Sequence, residues 1–415
     1  MFRRLLSFSE AQEAIQKNLK AKPFGTEQIP LLEACGRVIA EDVASTIAIP
    51  PFNRSTVDGY AVKAKDTFAV AENSPVALSL CGTVNVGEMP KITVAEGQTA
   101  EIATGAPIPE GADAVVMVEH TERKEAKIFV YSAVARNENV MKAGADIKKG
   151  ETVLRTGAVL GSREIGALAA LGLAKVKVYK APRVAVLSTG AEVAEPGKQL
   201  PAGKIFDINA YSLSAAVREN GGAPVFLGVF PDEKNLLEQA LRKALASSDA
   251  VVTSGGVSVG PKDIMPKILG SMDNSKVFVC GVAIKPGKPV TVALVDGKPV
   301  FSLPGHPTSA LLTFYLLAAP VIRSMAGRKA DKPLEIRACV STRLFSAKGR
   351  RTFVMVRLKR EKSGRLVAEP VEAGLSGAIT TLAKADGFVE VAENRQFVEA
   401  DEEVTVRLFK GGLAF

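Results

Sequence analysis

The chain has 415 residues, with 53 Lys+Arg against 44 Asp+Glu and a formal net charge of +9. An apolar fraction of 47% excludes disorder as the main state, and the length calls for two to four domains. Two histidines, His120 and His306, and four scattered cysteines argue against a His-built metal centre, a zinc ribbon or a disulfide framework. Any metal must bind carboxylates or groups on a substrate.

At the N-terminus, Ser9 with Gln12 makes a capping-box pattern that predicts a short helix to about Leu19. Arg3 and Arg4 open like an export signal, but Ser7, Ser9 and Glu10 break the apolar run at once. A cytoplasmic protein is expected. A second helix is expected over 31–40. From Glu41 to Lys149, short β-rich runs such as ADAVVMVEHTE alternate with Pro/Gly turns and predict a small β-domain. A helix over 162–171 and the strand KVKVY follow, expected to pack beside the N-terminal helices as one discontinuous unit. From Ala181 to Gly327 the chain alternates strand and helix: RVAVLST, NAYSLSAAVREN, PVFLGVF, DEKNLLEQALRKALAS, DAVVTSG. This builds a mostly parallel sheet with ligands at the carboxyl ends of its strands. The apolar run 311–322 is interrupted by Pro320 and too short for a bilayer, which needs about 20 residues. The tail from Pro333 reads as short strands of a β-barrel or sandwich.

Three strand ends carry polar, glycine-rich turns: 188–192 (Ser188, Thr189, Gly190, Glu192), 253–260 (Ser254, Gly255, Gly256, Ser258) and 303–309 (Pro304, Gly305, Ser309). Glycines let backbone N–H groups approach an anion, and a following helix N-terminus adds partial positive charge. Together the three turns predict a phosphate or oxyanion site. None matches a P-loop or a dinucleotide fingerprint. Lys285-Pro286-Gly287-Lys288-Pro289 is a stiff loop that can aim Lys285 and Lys288 at an anion. Acids recur at turns nearby (Asp58, Asp146, Glu192, Asp207, Asp232, Asp263) and as a group suit Mg²⁺ held jointly with substrate phosphates.

The charge excess is local. Nine basic residues and one acid, Glu361, lie between Arg343 and Arg365, so the rest of the chain is close to neutral. This stretch predicts a hairpin turning at Ser363-Gly364, with Phe353, Met355, Arg357 and Lys359 on one strand face and Val354, Val356 and Leu358 on the other. The Lys348-Gly349-Arg350-Arg351 turn offers guanidinium forks that suit oxyanions. Aromatics are not interleaved for base stacking, so no nucleic-acid partner and no membrane partner are expected.

Several long segments resemble the molybdopterin molybdenumtransferase family, MoeA and the E domain of gephyrin. They are PPFNRSTVDGYAV at 50–62, TGAPIPEGADAVVMVE at 104–119, TSGGVSVGPKD at 253–263, AIKPGKP at 283–289, SLPGHPTSAL at 302–311 and GAITTLAKADGF at 377–388. The resemblance spans about 7–406. It implies a multi-domain α/β plus β fold: a discontinuous mixed helical domain (1–27 and 150–180), a β-rich domain (28–149), an α/β molybdopterin-binding domain (181–330) and a C-terminal β-barrel (331–415). It implies insertion of molybdate into adenylylated molybdopterin with Mg²⁺-assisted release of AMP. The enzyme would be a homodimer with an active site shared between subunits, fed by an upstream molybdopterin adenylyltransferase. By motif position, Asp58 and Thr104 would face the cleft from the partner subunit, and Asp146, Glu192, Asp232 and Asp263 would line it, with Asp232 and Asp263 on the metal. Lys285, Lys288 and Ser309 would hold anions, Arg350 or Arg351 would place molybdate, and Ser376 and Thr380 carry over more loosely.

The chain departs from the family pattern at Gly281, where a basic residue is common, at His306, where asparagine is common, and at Pro261-Lys262. The scarcity of protein metal ligands agrees with this chemistry, because the substrate's own dithiolene sulfurs are soft donors suited to the transition metal. Alternatives are a molybdopterin-binding scaffold, a tungstate-inserting paralogue, an adenylyltransferase acting one step earlier, and a nucleic-acid binder with steep salt dependence.

Overall fold

The computed structural model of the chain describes residues 5–71, 74–197, 199–256, 264–329, 334–371 and 380–409. Ser258, Pro261, Lys262, Asp263 and Ser376 fall outside them, as does the side chain of Thr380, which opens the helix Thr380–Lys384.

The first helix is Phe8–Leu19, and its capping box is Ser7 with Glu10, two residues earlier than the Ser9–Gln12 pattern suggests. The Ser7 hydroxyl accepts from the Glu10 N–H (3.2 Å), and the Glu10 carboxylate accepts from the Ser7 N–H (2.7 Å). Starting at Phe8 lets Phe8, Ala11 and Ile15 bury one stripe. That stripe enters the core of the α/β unit, whereas the helix Ser162–Ala170 belongs to a separate core with Leu31, Ile39, Leu160 and Val178. The two helices therefore do not share a core. The helix expected over 31–40 is a single 3₁₀ turn, Leu31–Glu33. Gly36 (φ 78°) ends it, and Val38 and Ile39 bridge to Val159 and Val178 instead. The strands Thr26–Pro30 and Lys175–Tyr179 pair antiparallel, tying the two parts of this mixed unit together.

The α/β sheet runs in the order Ala223–Phe230, Arg183–Thr189, Ala250–Ser254, Lys298–Leu303, Thr291–Val295, Ser275–Cys280. The first four are parallel; Thr291–Val295 runs antiparallel to both its neighbours, so Ser275–Cys280 at the edge again points the same way as the first four. Alternation sends Val184 and Val186 to one face, with helix Asn209–Glu219, and Ala185 and Leu187 to the other, with helix Lys234–Ser247. The helical run Pro307–Met325 continues through Pro320 rather than stopping there. A π turn, Phe314–Ala318, precedes the proline, whose missing N–H leaves an i−4 carbonyl without its usual partner. This run is long and apolar enough to cross a membrane by length and composition, yet 72% of it is buried inside the protein.

The small β-sheet is ordered Ala114–Met117, Gly59–Val62, Gln98–Ile102, Val76–Val84, Lys127–Val130, Thr121–Lys124. The C-terminal strands Arg351–Arg360, Leu366–Pro370, Glu335–Val340, Glu403–Leu408 and Gly387–Val391 close into a five-stranded barrel, because the last pairs back onto the first. Val356 and Leu358 point into it, while Phe353 and Met355 face the Phe8 helix and the α/β core. Gly387 pairs on both edges, and a Cβ there would lie 2.2 Å from the Arg407 carbonyl oxygen. Gly387→Ala is expected to destabilise the protein by about 3 kcal/mol, the upper end for overpacking. A lower urea midpoint at constant slope would show it, and an unmoved midpoint would refute the tight closure.

Candidate active site

The adjacent parallel strands Arg183–Thr189, Ala250–Ser254 and Lys298–Leu303 end on one edge of the sheet, and their loops converge there. Gly255 has φ 96°, and a Cβ on it would lie 2.5 Å from the Thr189 carbonyl oxygen. A Cβ on Gly305 would lie 3.7 Å from the Gly255 Cα, so the second and third loops also touch. The N–H of Gly190 donates to the Phe230 carbonyl (3.1 Å) and that of Gly255 to the Leu303 carbonyl (3.2 Å). These two glycines therefore supply shape, not the free anion donors that the sequence pattern suggested. Ser188, Thr189, Ser254 and Ser309 are buried. Gly190 lines a cleft of about 380 Å³ with Ala191, Lys204, Val229 and Phe230.

Three oxygen-bearing side chains reach this edge. The Glu192 carboxylate curls over Gly190, 2.7 Å from where a Cβ would stand. Thr189 Oγ1 and Asp232 Oδ1 flank Gly256, 3.2 and 3.7 Å from its Cβ position. Thr189 Oγ1 is buried without a hydrogen-bond partner. Among the described residues no three His, Cys, Asp or Glu side chains gather as a metal cluster. A Mg²⁺ completed by substrate phosphates needs only one or two carboxylates, which Asp232 and the neighbouring hydroxyl fit. Asp232 does not cap the next helix, whose N-cap is Glu233, so its carboxylate is not consumed there.

The lysine loop is fixed from two sides. Gly287 (φ 105°) presses on the helix Pro307–Thr313, where a Cβ would meet Thr313 Cγ2 at 2.3 Å. Ile284 and Lys285 pair in parallel with Arg351 and Thr352 at the start of the barrel strand. That pairing sets exposed Lys285 at the end of the turn bearing Lys348 and Arg350; Lys288, three residues on, is half-buried. Arg351 is different. Its guanidinium binds Glu393 (2.8 Å) and Glu390 (3.1 Å) and stacks on the Phe8 ring at 5.4 Å. These contacts, led by the Glu393 hydrogen bond, raise its pKa further. Arg351 is a strut between barrel and N-terminal helix, and its charge is taken up by Glu390 and Glu393. Much of the remaining basic stretch is neutralised across the barrel: Arg343 by Glu399 (2.8 Å), Lys359 by Glu369 (2.6 Å), Arg365 by Asp401 (2.5 Å). Gly281, where the family commonly has a basic residue, has φ 83°, and a Cβ there would lie 2.6 Å from Leu5 Cδ2. The N-terminal segment occupies that space, with Leu6 bridged to Val282.

Asp58, Thr104 and Asp146 are exposed on the small β-domain. Gly59 opposes Ile102 in the antiparallel register, so Asp58 and Thr104 emerge at one sheet end. Asp58 Oδ1 accepts the Thr104 N–H at 2.7 Å. Among the described residues no hydrogen bond joins this pair to the strand-end loops. The Thr104 backbone bond, then its side-chain bond, hold the Asp58 carboxyl below its ordinary pKa. A lowered carboxyl pKa stabilises the fold above the unfolded value and loses that contribution as pH falls through the folded one. The Asp58–Thr104 link is therefore expected to persist to about pH 4 and loosen only below it. An NMR titration of the Thr104 amide checks this; a midpoint above the ordinary aspartate value would contradict it.

Two further residues stand at the centre of the converging loops: Asp207, which the sequence grouped with the acids suited to Mg²⁺ but whose Oδ1 is engaged by Ser188 and the Ala210 N–H, and Asn209, which the sequence did not single out. Asp207 is 4% and Asn209 9% exposed, both at the start of the helix behind the loops. The available signal was an Asp-x-Asn at the head of an amphipathic helix just beyond a strand-end loop.

Comparison with known proteins follows the same three parts. Residues 6–172 match the family described as "MoeA N-terminal region (domain I and II)". Residues 185–324 match "Probable molybdopterin binding domain", and 337–409 match "MoeA C-terminal region (domain IV)". The chain is 35% identical over 401 residues to a molybdopterin molybdenumtransferase of Haemophilus influenzae, covering 96% of this chain and 98% of that protein. It is 34% identical over 385 residues to one of Nostoc sp., covering 92% and 88%. A solved molybdopterin biosynthesis MoeA protein from Pyrococcus horikoshii superposes with TM-score 0.82 at 41% identity, covering 99% of this chain and 100% of the other.

Proposed function

The chain belongs to the molybdopterin molybdenumtransferase (MoeA) family and is an enzyme of molybdenum cofactor biosynthesis, and on that premise we propose that it inserts molybdate into adenylylated molybdopterin at the strand-end cleft, releasing AMP. The observation that carries the reading is the meeting of three elements: the convergent loops, the Lys285–Lys288 loop and the Arg350 turn. Backbone pairing of Ile284 and Lys285 with Arg351 and Thr352, and the close approach of Gly287 to Thr313 and Ser309, anchor the lysine loop beside the helix that follows the third strand-end loop, and in this reading Lys285 and Lys288 reach from it toward the cleft.

Release of AMP breaks the phosphoanhydride bond as an oxygen of water or molybdate bonds to the phosphorus, and negative charge develops on the departing phosphate. Lys285, Lys288 and Arg350 are cations carried on anchored backbone, and in this reading they stabilise that charge as it forms. Asp232, with Asp263 by its place in the sequence, would hold Mg²⁺ against the substrate phosphates. The ion would supply neutralisation of phosphate charge. Thr189 Oγ1 and Glu192 orient the same end of the substrate. The molybdenum itself is taken by the substrate's dithiolene sulfurs. Asp58 and Thr104 lie on a separate sheet, which supports a homodimer whose partner subunit completes the cleft with them. The adenylylated substrate is supplied by a molybdopterin adenylyltransferase, and the reaction is cytoplasmic.

The test is AMP release by purified protein given adenylylated molybdopterin, molybdate and Mg²⁺. No AMP from a folded sample overturns the activity. Loss of AMP release on adding EDTA and its recovery with Mg²⁺ support the metal; unchanged release in EDTA removes it.

A further inference from the structure

Helix Asn209–Glu219 begins behind the cleft, and the two buried side chains at its head touch all three strand-end loops. Asp207 Oδ1 accepts two bonds, from the Ser188 hydroxyl (3.0 Å) and from the Ala210 N–H (3.0 Å). The second satisfies a first-turn N–H of the helix from the position just ahead of its N-cap residue, Ile208; the first fixes the end of strand Arg183–Thr189 to the helix. Asn209 uses both amide hydrogens. Nδ2 donates to the Ser254 hydroxyl (2.8 Å) and to the Gly305 carbonyl (2.6 Å). Ser254 passes the link on, donating to the Pro304 carbonyl (3.0 Å). One helix head thus bridges three neighbouring parallel strands.

The wiring is directional. A carbonyl such as that of Gly305 only accepts, so the group facing it must donate. Aspartate at 209 would set a carboxylate oxygen against that carbonyl, although its size and shape match asparagine. At 207 the reverse holds, since asparagine retains an acceptor oxygen for Ser188 and Ala210. Asp207 Oδ2 and Asn209 Oδ1 are buried without partners. Leaving such atoms unpartnered in a core costs stability, so the pair is not explained by stability alone.

We propose that Asp207 and Asn209 are positioning residues for the transferase reaction, holding the Thr189, Ser254 and Gly305 loops in the mutual register that the phosphate-bearing substrate requires. They do not touch the substrate. This inference rests on the proposed reaction at these loops. A misplacement of 1 Å at a reacting centre costs about 10²-fold in rate, so a lost bridge is read chiefly in kcat.

The experiment compares wild type with Asn209→Asp, Asn209→Ala, Asp207→Ala and Asp207→Asn, all checked for folding by circular dichroism. AMP release from Asn209→Asp and Asn209→Ala is expected to fall about 100-fold in kcat, with KM changing less than about threefold. Asp207→Ala is expected to fall by a similar factor, and Asp207→Asn to stay within about threefold of wild type. Hydrogen exchange is followed in peptides spanning the loops after Ser188, Ser254 and Leu303. Faster exchange confined to these loops in the impaired variants supports the bridge whether or not the wild type releases AMP. Wild type that releases no AMP defeats the proposed reaction alone. Folded Asn209 variants with wild-type kcat and unchanged exchange defeat the bridge alone. If both Asn209 variants unfold, the Asp207 pair decides: equal kinetics and exchange for Asp207→Ala and Asp207→Asn overturn the proposal.

Discussion

Lys285→Ala lowers the rate of AMP release by about 10²–10³-fold and leaves the urea midpoint in place. The size follows from what the side chain does. A fixed cation in a cleft stabilises charge that develops only in the transition state, and removing one such donor typically costs that much. The constancy of the midpoint follows from where the residue sits. Lys285 is exposed, and its backbone, not its ammonium, pairs with Thr352. Lys285→Arg is expected to recover only part of the loss, because a planar fork does not reproduce a compact point charge at the end of a short loop. Steady-state AMP release beside a urea melt checks both halves. Activity within threefold of wild type would remove Lys285 from the chemistry. A lowered midpoint would show instead that it holds the junction between α/β unit and barrel.

The elements legible from sequence were those with one dominant local signal. The buried strand RVAVLST was visible as a continuous, β-branched apolar run, buried on both faces, and the helix Lys234–Ser247 by an undiluted 3.6-residue period. The helix expected over 31–40 failed because Gly36 and the cross-chain bridges of Val38 and Ile39 outweigh the local apolar pattern. The cap at the N-terminus moved from Ser9 to Ser7 although the local signal was there: Ser7-x-x-Glu10 is itself a capping box, and it competes with Ser9-x-x-Gln12 two residues later. At the site, glycine-rich strand ends and the lysine loop were legible as residue types at turns. Which N–H groups were already spent was not, since Gly190 and Gly255 donate to carbonyls 40 and 48 residues away in the chain. Arg351 was unreadable for the same reason: Glu390, Glu393 and Phe8 are its neighbours only after the barrel closes. Local spacing nominates an anion-binding residue, and long-range pairing decides whether its charge is still available.

Gly255→Ala probes the opposite variable, moving the chain while leaving every charge in place. At φ 96° an L-residue is strained, and the new methyl would stand 2.5 Å from the Thr189 carbonyl oxygen and 2.6 Å from Thr189 Oγ1. The first of these is backbone in a buried strand and has no rotamer to escape into. The loop must therefore retreat from the strand Arg183–Thr189 by several tenths of an ångström or more. Left-handed strain adds roughly 1–2 kcal/mol, and overpacking adds about 1–3 kcal/mol. Stability is expected to fall by about 2–5 kcal/mol, read as a lower urea midpoint. Activity is expected to fall about 100-fold at temperatures where the variant is fully folded. The contrast with Lys285→Ala separates the two contributions to catalysis. One variant loses rate with stability intact and so measures a charge; the other loses both and measures the spacing of the loops on which that charge acts. Gly255→Ala that retained wild-type rate and midpoint would mean that the close approach of the Thr189 and Ser254 loops is relaxed in solution. The converging-loop geometry could then no longer underlie binding of the substrate's phosphates.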